Sequence, residues 1–185
     1  MDLSYLPHAS EGHMFPTDEV LSLWKDIKQR TDFKHIFEIG TNGGHSAAII
    51  MTLFPDVKVT SMDIGWHSYT AVAVEALKTK FGDRFTYMLS DTKQYLKNLQ
   101  SGSEKFPEGI DIINIDGDHS VQGAINDIQI AKFAKLKHIM IDDFVMYGVP
   151  AAYAVESDGL KLVNTYQYYY YNNPVTMALV TNELV

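Results

Sequence analysis

At 185 residues, with 46% hydrophobic and 12% aromatic side chains, the chain has the material for one domain with a sizeable core. A formal charge of −8 without any Lys/Arg cluster disfavours a nucleic-acid partner, whose affinity rests mostly on phosphate neutralisation. The absence of cysteine excludes disulfides and thiolate metal sites, and with no apolar run of about 18 residues and no signal-peptide pattern at Met1-Asp2-Leu3 a cytoplasmic protein without a membrane partner is expected.

Residues 1–16 are mixed, contain two prolines and read as a leader laid across the domain, one of the few stretches able to serve as a lid. Thr17 caps a helix through Arg30, with Asp18 and Glu19 in the favourable first turn and Val20, Leu23, Trp24 and Ile27 along one apolar face. A first strand over residues 36–40 enters the turn Gly40-Thr41-Asn42-Gly43-Gly44, and residues 46–54 form a buried helix stopped by Pro55. The second strand, 57–62, has Asp63 at its C-terminal end. A helix over 68–81 closes on Gly82, and the third strand, 85–89, leads through Ser90-Asp91-Thr92 into a helix ending near Leu99. The fourth strand, 109–115, ends in Asp116-Gly117-Asp118-His119; Ser120 caps a helix through Phe133, and the fifth strand, 138–141, ends in Asp142-Asp143.

Five alternations of strand and helix predict parallel strands joined by right-handed crossovers. Residues 160–166 and 175–180 read as two further strands linked by 167–174 with no helix between them. They form a hairpin, which makes one strand of the α/β sheet antiparallel.

The turn after the first strand reads as a cofactor turn. Gly40 lets the chain leave the strand at positive φ, and Gly43 and Gly44 remove Cβ atoms where a ligand approaches the backbone. The next helix presents free N–H groups to an anionic or polar ligand group. Asp63 stands 25 residues after Glu38, at the next strand end, the spacing of a carboxylate that binds ribose hydroxyls. Asp91 or Ser90, one strand further out, reaches the base. Acidic residues also follow the fourth and fifth strands, and in a parallel sheet all these ends share one edge. Helix capping is the plain alternative for such aspartates, above all for Asp91. Asp116, Asp142 and Asp143 come from strands expected to be neighbours, and three crowded carboxylates call for a cation or for protons. His119, at the same mouth, has the chemistry to ligate that metal, to cap the following helix or to serve as a general base.

The stretch Glu38-Ile39-Gly40-Thr41-Asn42-Gly43-Gly44-His45-Ser46 resembles motif I of class I S-adenosylmethionine-dependent methyltransferases, in the E-x-G-x-x-x-G-x-S form of metal-dependent O-methyltransferases. Ile115-Asp116-Gly117-Asp118-His119-Ser120 and Ile141-Asp142-Asp143-Phe144 are similar to the IDGDHS and DDF signatures of the bacterial group that includes macrolide sugar O-methyltransferases; catechol and caffeoyl-CoA O-methyltransferases are more distant relatives. Glu11-Gly12-His13-Met14 is similar to the E-G-Q segment those enzymes carry before their first helix. The resemblance implies a Rossmann-like class I methyltransferase fold of seven strands, with an antiparallel C-terminal hairpin and helices on both faces. It further implies that Glu38, Gly40, Asn42, Gly44 and Ser46 surround the methionine part of S-adenosylmethionine, with Asp63 and Ile64 at the ribose and Ser90, Asp91 and Thr92 at the adenine. Asp116 belongs to that set and, with Asp142 and Asp143, to the metal ligands, Asp standing where the third is often Asn. His119 occupies the position of the general base, and the acceptor is a small molecule with a hydroxyl group, a diol, sugar or catechol. Oxygen ligands suit Mg²⁺, with Mn²⁺ or Ca²⁺ able to take their place.

The Pro-Gly-Gly that often precedes the fifth strand of such enzymes is replaced by Phe133-Ala134-Lys135-Leu136-Lys137. Beyond the leader, residues 147–157 and the tyrosines Tyr166 and Tyr168 to Tyr171 are what is left to cover a substrate. The tyrosines and the first helix would suit a homodimer, and packing is the plainer role for both. Two other functions fit the pattern less well. A module that binds the cofactor without catalysis has no need to gather Asp116, His119, Asp142 and Asp143, and a nicotinamide-linked oxidoreductase expects glycine where Asn42 stands.

Overall fold

The computed structural model describes residues 1–10 and 14–185, so Glu11, Gly12 and His13 of the segment compared above lie outside the described residues. The Thr17 hydroxyl accepts from the Val20 N–H and opens α1 (Asp18–Thr31), which buries Val20, Leu23, Trp24 and Ile27. There follow β1 (His35–Ile39), α2 (His45–Leu53), β2 (Lys58–Asp63), α3 (Ser68–Phe81), a 3₁₀ turn at Gly82–Arg84, β3 (Phe85–Leu89), α4 (Thr92–Ser101), β4 (Ile112–Ile115), α5 (Val121–Phe133), β5 (His138–Ile141), α6 (Val149–Glu156), β6 (Leu160–Tyr170) and β7 (Asn173–Asn182).

The strands form one sheet in the order β3-β2-β1-β4-β5-β7-β6. The first five strands pair in parallel, and β7 runs antiparallel between β5 and β6. The alternation of side chains along each buried strand divides the core into two layers. Ile36, Val59, Ile112, Met140 and Leu179 pack beneath α1, α2 and α3. Phe37, Ile113, Ile115, Ile139, Ile141 and Val180 pack beneath α4, α5 and α6. The direction of winding reverses between β1 and β4, and such a switch point opens a crevice at the C-terminal ends of the strands.

Three elements differ from the sequence reading. β4 starts at Ile112 because the residues before it serve as a turn: Gly109 has φ +74, and the Asp111 carboxylate accepts from the Lys34 and His35 N–H groups. The hairpin is far longer than expected, since the linking residues themselves pair, up to Tyr170↔Asn173. Only Tyr171 and Asn172 turn, both at positive φ (45° and 67°), as a tight two-residue hairpin requires. Residues 149–156, read as part of a cover over the substrate, form α6, with Val149 and Ala152 buried and Glu156 bonded to Gln129 and Lys132 of α5.

The apolar face of α1 is spent on the core, and the tyrosines of β6 divide. Tyr166 and Tyr168 turn towards the body, Tyr166 donating to Asp26 of α1 (2.7 Å), while Tyr169 and Tyr171 are exposed. The leader is held to the body at two described points, Ala9 being buried against the Gly43 turn and Met14 accepting from the Trp24 indole N–H. Among the described residues no helix is long and apolar enough to cross a membrane.

Candidate functional site

A cavity of about 1250 Å³ lies over the C-terminal ends of the strands. One arm is lined by Gly40, Thr41, Asn42 and Gly43 of the turn, Ser46, Asp63, Ile64, Trp66, Ser90, Asp91 and Thr92, and the other by Asp116, His119, Asp142, Asp143, Tyr147, Tyr168 and Tyr170. Of the residues singled out from the sequence, Glu38, buried beneath the cavity, and Gly44, turned to α3, are the two that do not line it.

The turn is shaped by protein contacts as much as by room for a ligand. Gly40 has φ +94, and a Cβ there would stand 1.8 Å from the Asp116 carbonyl oxygen, so β1 and β4 approach this closely only because the side chain is absent. Gly44, φ +75, packs against Leu77 of α3. The Asp63 carboxylate is set in place by two backbone N–H groups, Asn42 at 2.9 Å and Gly65 at 2.6 Å. Asp91 caps α4 through the Lys93 and Gln94 N–H groups while lining the cavity, so the plain reading of this residue and the cofactor reading share one side chain.

Beneath the turn, Glu38 is fully buried and accepts from the Ser46 and Ser61 hydroxyls, the latter also bonded to Thr41. Burial raises its carboxyl to about 7 against the pull of those two hydroxyls. Ser46 is therefore tied to the strand floor, which fixes the first turn of α2.

At the other arm His119 bridges two carboxylates, with Nε2 3.2 Å from Asp116 and Nδ1 3.1 Å from Asp143. The hydrogen bond to Asp116, together with the charge of both aspartates, raises the imidazole to about 9, and burial raises both carboxyls. One ligand atom from each of Asp116, His119 and Asp143 falls within 4.8 Å of the others, a spacing able to surround a metal ion. Asp142 does not join that triangle. It is 4% exposed, its Oδ2 accepts from the Tyr168 hydroxyl at 2.7 Å, and its Oδ1 is buried without a hydrogen-bond partner among the described residues. Burial, then the neighbouring Asp116, raises its carboxyl well above the usual range.

Tyr147 and Gly148, which the sequence marks only as the start of a cover, and Asp127, which it does not mark, support this arm. Tyr147 stacks on the His119 ring at 5.5 Å and 14°. The Gly148 N–H donates to the His119 carbonyl (2.9 Å), a fit that a Cβ would spoil by meeting Val121 N at 2.3 Å. Asp127, fully buried on α5, lies beneath the loop that carries Asp116 and His119, its Oδ2 2.8 Å from where a Gly117 Cβ would stand. Its signal was available: Ala124, Ile128 and Ala131 mark the buried face of α5, and Asp127 falls on it.

Comparison with known proteins gives a consistent family. The family described as a methyltransferase domain matches residues 37–140. In fold, the chain is similar to an O-methyltransferase from Bacillus cereus in complex with SAH (17% identity over 92% of this chain and 84% of that one, TM-score 0.68). It is similar also to the O-methyltransferase TomG of Streptomyces achromogenes, involved in tomaymycin synthesis, in complex with SAM (15%, 90% and 80%, 0.63), and to TrmK of M. capricolum in complex with S-adenosyl-homocysteine (17%, 91% and 70%, 0.62). No curated protein matches the chain.

Proposed function

The chain belongs to the methyltransferase-domain family, and from that membership we propose that it transfers the methyl group of S-adenosylmethionine to a hydroxyl oxygen of a small-molecule acceptor, aided by a divalent cation. The observation that carries this reading is that Asp116, His119 and Asp143 converge in the same cavity as the Gly40 turn and Asp63. A donor site and a proton-handling site thus face one space.

The donor set suits a hard cation. Carboxylate oxygens from Asp116, Asp142 and Asp143 are ligands of Mg²⁺ type, and the Oδ1 of Asp142 is a buried lone-pair group without a hydrogen-bond partner among the described residues. When bound, S-adenosylmethionine supplies an electrophilic methyl group, and a cation at these carboxylates lowers the pKa of an acceptor hydroxyl. Asp63, fixed by the Asn42 and Gly65 N–H groups, retains lone pairs for ribose hydroxyls. Ser90, Asp91 and Thr92 line the adenine end, and Glu38 with Ser46 fixes the floor under the methionine part. His119 takes the acceptor's proton at a ring nitrogen, which it can do only where Asp116 and Asp143 direct their charge elsewhere, since their pairing holds the ring protonated at neutral pH. Tyr147, stacked on the ring and lining the same cavity, keeps the ring plane in register. An acceptor with two vicinal oxygens, as in a diol, a sugar or a catechol, fits a site with this many oxygen ligands. The same reading carries a single catalytic domain working in the cytoplasm.

Calorimetric titration with S-adenosylmethionine tests the donor half of the proposal: folded protein that gives no heat refutes it. Full methyl transfer after exhaustive chelation would leave the donor half standing and remove the cation.

A further inference from the structure

Asp142 and Asp143 are adjacent, yet the structure treats them differently. Asp142 continues the strand, its N–H donating to the Ile115 carbonyl at 2.9 Å, and its carboxyl is buried between β5 and the C-terminal hairpin. There the Tyr168 phenol, 5% exposed and lining the cavity, donates to Oδ2. A buried carboxylate with one oxygen bonded to a phenol and the other without a hydrogen-bond partner among the described residues is not a resting arrangement for an anion. The bonded oxygen fixes the rotamer, and the bare one is the atom presented to whatever neutralises the group.

We propose that Tyr168 is a positioning residue of the cation site: its hydroxyl holds Oδ2 of Asp142 and thereby leaves Oδ1 as the ligand oxygen. This rests on the cation reading above and adds to it a role for the antiparallel hairpin, a part of the fold that contributes no acidic residue to the site. Tyr166, on the same face of β6 but bonded to Asp26 of α1, anchors the strand and serves as the internal control.

The test is Mn²⁺ binding to the full chain, followed by electron paramagnetic resonance and calorimetry in the presence of S-adenosylhomocysteine, in the wild type, Tyr168→Phe, Tyr168→His and Tyr166→Phe. Loss of an outer hydrogen bond to a ligand weakens metal binding roughly 10- to 100-fold. Tyr168→Phe is expected to weaken Mn²⁺ at least tenfold with the affinity for S-adenosylhomocysteine alone unchanged. Tyr168→His, which keeps a ring N–H, stays within about threefold of the wild type, as does Tyr166→Phe. Equal binding by the wild type and Tyr168→Phe overturns the inference and leaves the proposed function intact, and so does an equal loss in both Tyr168 variants, which marks packing instead of donation. A wild type that binds no Mn²⁺ removes the cation and this inference together.

Discussion

Replacing Asp127 with Asn isolates the energetic consequence of burying a carboxyl under the loop that carries Asp116 and His119. Asp127 is fully buried, and burial raises its carboxyl from 3.8 to about 7, against a smaller stabilising contact from Thr92 and with Asp118 adding to the rise. In the native state the group keeps its proton up to about pH 7, whereas the unfolded chain releases it near 4. The native state thus binds more protons across that window, and stability falls as pH rises through it. A shift of roughly 3 units at 1.36 kcal/mol per unit makes the loss about 4 kcal/mol, complete above about pH 7. Asn has the same shape and never ionises. Asp127→Asn is therefore expected to lie within about 1 kcal/mol of the wild type near pH 5 and to be more stable by about 4 kcal/mol near pH 8. Glu38, also raised to about 7, adds a slope of the same sign to both proteins and cancels in the difference. Urea unfolding at the two pH values measures it. A gap between the proteins that is the same at both, within about 1 kcal/mol, refutes the argument.

Gly40→Ala should lower the melting temperature by roughly 10 °C, since the methyl group meets the Asp116 carbonyl at 1.8 Å and the backbone is held at φ +94, together a loss of about 3 kcal/mol or more. A melting temperature within about 2 °C of the wild type would show that the two strand ends separate freely. His119→Asn distinguishes proton acceptor from ligand: if His119 is the base, methyl transfer falls about 100-fold or more while Mn²⁺ affinity changes by less than about threefold. A Mn²⁺ affinity that collapses with it would assign the imidazole to the metal, in the triangle it forms with Asp116 and Asp143.

Much of the fold is legible because the buried parallel strands are short apolar runs closed by polar ends. Ile112-Ile113 and Ile139-Met140-Ile141 have no solvent face, and their partners at both sides follow from five alternating crossovers. The hairpin itself is legible, but its length is not, for the opposite reason. Its residues 167–174 are tyrosine, glutamine, asparagine and proline, a turn-like composition, yet tyrosine favours strands and the turn needs only two residues at positive φ. Pro174 is tolerated because β5 reaches only as far as Ala178 on that side of β7 and so leaves the proline nitrogen no ladder to break. The helix α6 escaped notice because Val149-Pro150-Ala151-Ala152 carries little amphipathic contrast, and only packing on α5 separates its faces.

The site was legible to the level of residue type and strand end, and stopped at the choice between neighbours. Asp142-Asp143 reads as one acidic pair, but a single backbone angle separates the two. Asp143 sits at φ +50, a left-handed conformation that costs a non-glycine residue about 1 kcal/mol or more, and it swings its carboxylate to His119. Asp142, its N–H still bonded to β4, sends its carboxylate to Tyr168, 26 residues away on the edge strand β6. A residue that holds strain of that kind against its own preference is held there by its partners, so relaxing Asp143 to an ordinary conformation would cut His119 from its second carboxylate. The pairing of an imidazole between two strand ends therefore depends on a turn that no pattern of residue types records.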